Sequence, residues 1–147
     1  MIKTNVMNIK VTSKSVSETK SEIKVRHFTL VVDEPEYFSG TDSGPNPLEY
    51  LLTALAGCIS ITLQLVAREK GIKIRNVSLE ITGTLDTDKF LGKDMNKRAA
   101  LNKIKVNLSV DADAPKEVIE KLVEETETRC PVTDTLKNGT TVEINLR

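Results

Sequence analysis

Residues 46–71, NPLEYLLTALAGCISITLQLVAREKG, are where the chain stops alternating and becomes apolar at almost every turn. Leu48, Leu51, Leu52, Ala54, Leu55, Ala56, Ile59, Ile61, Leu63, Leu65, Val66 and Ala67 leave little polar face before Arg68, Glu69, Lys70 and Gly71. The stretch reads as one long helix. Asn46 is a natural N-cap, Pro47 suits the first helical position, Glu49 falls three residues after the cap, and Gly71 suits the residue just past the end. A membrane span needs about 20 apolar residues, and Glu49, Thr53, Ser60, Thr62 and Gln64 interrupt this run. A helix apolar nearly all round is instead a central one, covered on several sides by sheet or by a partner subunit. Ala54, Ala56 and Gly57 form a small-residue patch that another backbone can approach.

The sequence around this helix has the other periodicity. In residues 8–33, Ile9, Val11, Val16, Ile23, Val25, Phe28, Leu30 and Val32 recur mostly at spacing two, which predicts antiparallel strands with one face buried. Residues 33–46 collect Pro, Gly, Asp, Ser and Thr without periodicity, the composition of an exposed, mobile loop. Alternation returns in residues 72–86 (Ile74, Val77, Leu79, Ile81) and 103–111 (Ile104, Val106, Leu108, Val110), so both read as strands. The polar segment between them, residues 87–100, reads as a loop with room for a short helix. Asp113 opens a second helix through Val118, Ile119, Leu122 and Val123, and Pro131 starts a short third one ending near Asn138-Gly139. Residues 141–146 alternate again and are expected to close the chain as a strand. No repeat, linker or second domain is evident, and residues 1–147 are expected to be a single domain.

Composition narrows the function. At 147 residues the chain is long enough to bury its own core, so a metal or disulfide staple is not required. Lys plus Arg number 21 against 21 Asp plus Glu, and the zero net charge argues against a nucleic-acid partner. The first five residues lack the apolar run of a signal peptide, which makes the cytoplasm the expected compartment. There a pair of Cys reads as reactive, with two buried bystanders as the competing reading.

Judged locally, Cys130 is the more activated thiol, because it precedes Pro131 at the start of a short helix, where partial positive charge favours a thiolate. Cys58 lies about 16 Å into the long helix, beyond the reach of the helix dipole, and burial there raises its pKa. It becomes a nucleophile only if the fold brings a cation to it. The candidate is Arg26, the sole Arg before Cys58, whose competing role is a solvated strand residue. His27 follows Arg26 and points to the opposite face of a strand. One His and two Cys without ligand spacing make a poor metal site, and residues 40–44 lack the Lys of a phosphate loop.

Gly44-Pro45-Asn46-Pro47-Leu48-Glu49-Tyr50-Leu51-Leu52 running into Ala54-Leu55-Ala56-Gly57-Cys58, followed later by Arg129-Cys130-Pro131-Val132, resembles the two signature segments of the OsmC/Ohr superfamily. The resemblance covers essentially the whole chain, and Asp33-Glu34-Pro35 resembles its OsmC-like branch. It implies an α+β fold, with antiparallel sheets wrapped around a long central helix, in an intertwined homodimer with active sites at the subunit interface. It also implies a peroxidase in which the Cys58 thiolate attacks an organic hydroperoxide, Cys130 resolves the sulfenic acid as a disulfide, and a dithiol restores both thiols without a cofactor. Lipoylated protein is the reductant in the best-understood relatives.

In family peroxidases a Glu follows the Asn-Pro directly and helps hold a catalytic Arg, whereas here Leu48 takes that place and Glu49 comes next. Glu49 is nine residues before Cys58, about 13.5 Å along the axis and on the opposite side, so it reaches a thiol only across a dimer. Its other role is the capping-box Glu of Asn46. Arg26 is assigned the catalytic Arg by resemblance, although its distance from Cys58 in sequence differs from the family's. Two alternatives to a peroxidase remain: the same dimer as a non-enzymatic redox-responsive or small-ligand-binding protein, for which Leu48 speaks and whose pocket of Leu and Ile would suit an apolar ligand, and inert thiols in a protein that works by binding partners.

Overall fold

A computed structural model describes residues 5–147; residues 1–4, most of the stretch in which the signal-peptide features were sought, lie outside the described residues. The described residues form two compact units, divided between Leu51 and Leu52.

The first unit is an antiparallel sheet of β1 (Thr12–Ser15), β2 (Ser21–Val25) and β3 (Phe28–Val32), in that order. Arg26 and His27 make the tight β2–β3 turn, and Arg26 takes the left-handed conformation (φ 51°) that such turns demand. The strands predicted here form, but no strand residue in this unit is fully buried, and Phe28 and Leu30 remain exposed. Alternation set the strands, while the cover for their apolar face is not supplied within the unit.

The loop after β3 departs from its loop-like composition. Asp33 is fully buried and accepts five hydrogen bonds: from the hydroxyls of Thr19 (3.0 Å) and Thr41 (2.6 Å) and from the amides of Glu34 (2.8 Å), Thr41 (3.2 Å) and Ser43 (3.0 Å). A buried carboxylate requires such partners, and together they organise the loop around one side chain. The fold brings backbone into close contact at Gly40, where any Cβ would overlap the Glu34 carbonyl. Tyr50 Oη donates to the Val31 carbonyl (2.8 Å), tying the start of the long helix to β3.

That helix, α1 (Pro47–Glu69), begins and ends as its sequence predicts. The Asn46 side chain accepts from the Glu49 amide (2.9 Å) and Glu49 accepts from the Asn46 amide (2.8 Å), a closed capping box. At the other end Gly71 (φ 67°) turns left-handed, with the Ile72 amide bonded to the Ala67 carbonyl and the Gly71 amide to that of Arg68. This is a Schellman closure.

In the second unit, Leu55, Ile59, Thr62, Leu63, Val66 and Ala67 make one buried stripe along α1, whereas Ile61 remains 73% exposed. The stripe packs on a ribbon of β4 (Ile74–Leu85) and β5 (Leu101–Ala112), paired antiparallel with Ile81 opposite Val106. α2 (Lys116–Arg129) sets Leu122 among Leu63, Val66 and Ala67. Asp113 does not open this helix. Pro115 disfavours helical backbone at Ala114, so Pro115 itself becomes the N-cap, while the Asp113 amide bonds to the Lys73 carbonyl (2.9 Å). The segment between β4 and β5 forms turns rather than a helix, with Lys97 clamped between Asp86 (2.7 Å) and Asp88 (2.6 Å). α3 (Pro131–Asn138) starts where predicted. Residues 141–147 form no strand in the chain: Val142, Ile144 and Leu146 are all exposed, because no edge in this unit pairs with them.

Candidate active site

Cys130 is the single residue between α2 and α3. The proline after it disfavours helical backbone, so Cys130 adopts an extended conformation (φ −76°, ψ 111°) and breaks what would be one helix into two. Its amide still closes α2 on the Thr126 carbonyl (2.9 Å), and its carbonyl accepts the Asp134 amide as α3 begins (3.0 Å). The break aims its side chain into the apolar cluster of Leu55 and Ile59, where Cys58 sits one α1 turn along. The two sulfurs stand 2.9 Å apart, within hydrogen-bond reach and well beyond the about 2.05 Å of a disulfide. Both are free thiols, Cys130 fully buried and Cys58 half-buried.

Their environments split them. Burial raises the Cys58 thiol, the hydrogen bond with Cys130 adds to this, and the Val132 amide and Thr62 hydroxyl only partly oppose it. Burial pulls Cys130 upward too, but its thiolate form, once made, is favoured by the neighbouring Cys58 thiol, the Thr133 hydroxyl and the Thr133 and Val132 amides, which together outweigh burial. Its thiol therefore lies below the ordinary cysteine value. This is the order expected from the helix start alone. The Val132 amide favours the thiolate form of either sulfur.

Of the other residues singled out in the sequence, Glu49 is held in its capping box and Arg26 belongs to the β2–β3 turn, its guanidinium 5.0 Å from the centre of the Phe28 ring. Among the described residues no cluster of His, Cys, Asp and Glu is arranged to hold a metal. Two contributors escaped sequence reading. Arg129, seen only as part of a motif, grips Glu69 with both terminal nitrogens (2.6 and 3.0 Å) and Glu125 with one (2.9 Å). Thr133 carried no distinguishing signal beyond its position three residues after Cys130. Beside the thiols is a cavity of about 510 Å³ walled by Leu55, Ile59, Ile104, Val106, Leu136 and Thr133, with neither sulfur in its lining.

A paired-thiol site on this α+β scaffold, with a long helix carrying the first Cys and a helix break carrying the second, defines the class. The chain belongs to the OsmC-like protein family, which matches residues 40–145. Among solved structures it is similar to an OsmC-like protein from Mycoplasma pneumoniae (23% identity over 89% of this chain and 88% of that one, TM-score 0.78). It is also similar to an organic hydroperoxide resistance protein OsmC from Legionella pneumophila (16% identity, 92% and 93% covered, TM-score 0.66). The organic hydroperoxide resistance protein OhrB of Bacillus subtilis is a third (22% identity, 89% and 91% covered, TM-score 0.61). No curated protein matches the sequence.

Proposed function

We propose that this protein is a thiol-dependent peroxidase that reduces organic hydroperoxides, acting as a homodimer in the cytoplasm. The observation that carries the reading is the 2.9 Å approach of two free thiols that are 72 residues apart in sequence. Cys58 as thiolate attacks the peroxide O–O bond, the alkoxide leaves and takes a proton as the alcohol, and Cys58 becomes a sulfenic acid. The Cys130 thiolate then attacks that sulfur, expelling hydroxide and closing the disulfide. A dithiol, with lipoylated protein as the reference case, reduces the disulfide by thiol exchange and is itself oxidised to a disulfide.

Since Cys58 is raised in its own chain, the cycle calls for a cation, and Arg26 is the residue assigned to it. Glu49, already used in capping, enters only on the partner's site. The hydroperoxide resistance proteins among the similar structures support the substrate class. The cavity of about 510 Å³ favours a second reading, a dimer that binds an apolar ligand without turnover.

Mass mapping of the reduced protein after one equivalent of an organic hydroperoxide, read without reductant, tests the proposal. A rapid Cys58–Cys130 disulfide, faster than with hydrogen peroxide, is expected; Cys58→Ser abolishes it, and Cys130→Ser accumulates sulfenic or overoxidised Cys58. Two thiols that remain free would reject the peroxidase and leave the ligand-binding dimer.

A further inference from the structure

Thr133 Oγ1 is sealed from solvent and makes no hydrogen bond in the resting protein. Nearby threonines behave otherwise: Thr126 turns back to the Leu122 carbonyl (2.8 Å) and Thr135 to the Pro131 carbonyl (2.8 Å), the ordinary outlet for a helical threonine. A buried hydroxyl without a partner is costly, and one that declines the carbonyl of the preceding turn is available to something else. The oxygen has no surface open to the cavity that the residue lines, so a bound ligand does not satisfy it. Thr133 occupies the third position of α3 and Cys130 its N-cap, the pair of positions from which a side chain reaches back across the first turn.

We infer that Thr133 is a positioning residue whose hydroxyl donates to the Cys130 sulfur when that sulfur is a thiolate, holding it for attack on oxidised Cys58. A thiolate accepts such a bond far better than a thiol does, so the orphaned hydroxyl of the resting pair gains its partner when Cys130 loses its proton. The downward pull of this hydroxyl on the Cys130 thiol is in keeping with that role. The consequence for catalysis rests on the two-thiol cycle proposed above; the effect on the thiol does not.

The test separates them. In a Cys58→Ala background, thiolate absorbance followed against pH reports Cys130 alone. Thr133→Val raises its midpoint by about one to two pH units, a tenfold or greater loss of thiolate at a fixed lower pH, and Thr133→Ser restores it. With both cysteines present, Thr133→Val slows disulfide closure after sulfenic acid formation and moves the pH profile of closure upward. A midpoint unmoved in Thr133→Val, or one that Thr133→Ser fails to restore, overturns the assignment. A midpoint that moves in a protein whose thiols ignore hydroperoxide supports Thr133 and rejects the peroxidase.

Discussion

Arg129 and Glu69 join the last residue of α2 to the last residue of α1 through a two-pronged ion pair, 2.6 and 3.0 Å, one residue before Cys130. Glu125 braces the same guanidinium (2.9 Å) and is itself held by Lys70 (2.6 Å), so the end of α2 is fixed relative to the helix that bears Cys58. The pair is partly exposed, and its contribution to global stability is accordingly small. Its importance is positional. Arg129→Ala is expected to change the thermal midpoint little but to slow oxidant-driven closure of the Cys58–Cys130 disulfide several-fold, as read by free-thiol loss with time. Arg129→Lys, lacking the fork, recovers only part of the rate. A wild-type closure rate in Arg129→Ala would remove the clamp from the account.

Asp33 makes the first unit sensitive to acid. The Thr41 hydroxyl holds its carboxyl well below the usual carboxylate range, and the Ser43 and Glu34 amides and Thr19 hydroxyl add to this against the opposing effect of burial. A folded pKa below the unfolded value stabilises the protein above the unfolded value, about 4, and this contribution is lost as pH falls from there toward the folded one. Asp33→Asn places an amide NH₂ against N–H donors that cannot reverse. Thermal denaturation across about pH 2 to 7 should show a lower midpoint at neutral pH for Asp33→Asn and a shallower decline below about pH 4. Equal slopes for the two proteins would show that the carboxylate does not govern this unit's acid response.

What could be read from sequence divides by the distance over which the signal acts. Asn46-Pro47 with Glu49, and Gly71, set both ends of α1 through bonds spanning a few residues, and each closes as read. The same holds at Pro131, while at Asp113 a capping residue was followed by Pro115, whose restriction on Ala114 moved the start. The family resemblance paired Cys58 with Cys130; periodicity could not, because only the packing of Leu55, Ile59 and Leu136 brings such distant residues together. Asp33 looked like loop punctuation because its partners Thr19, Thr41 and Ser43 are as common in loops as in networks. Residues 141–146 have a strand's alternation, but pairing depends on an available edge.

The inner half of α1 depends on Leu122. This side chain is fully enclosed by Leu63, Val66 and Ala67, with Val77, Val110 and Val123 at the margin. Leu122→Ala leaves a hole that rigid neighbours fill poorly and is expected to cost about 2–5 kcal/mol in chemical denaturation. Val118→Ala, on the same helix but 38% exposed, serves as the control and should cost much less. Similar losses for the two would mean that the packing around Leu122 is not the core of this unit.

The outer half of α1 leads to the prediction about assembly. Ile61 and Leu65 open onto a groove of about 830 Å³, walled also by Ile72 and Ile74 beside Ser60 and Gln64, although a central helix ordinarily buries such residues. Ile144, 94% exposed in an unpaired alternating tail, presents the same problem at the other end of the chain. Apolar side chains grouped at a surface and backbone groups without a ladder both gain from a second surface, and a second copy of the chain supplies one. Sedimentation velocity is expected to give twice the 16.3 kDa chain mass. Ile61→Glu should shift the protein toward monomer by charging the groove, while Ile144→Asp should do so by weakening the tail's pairing. Circular dichroism at matched concentrations separates loss of assembly from loss of fold. A wild-type protein that sediments as a single folded chain at micromolar concentration would refute the homodimer, and a dimer indifferent to both substitutions would locate its interface elsewhere.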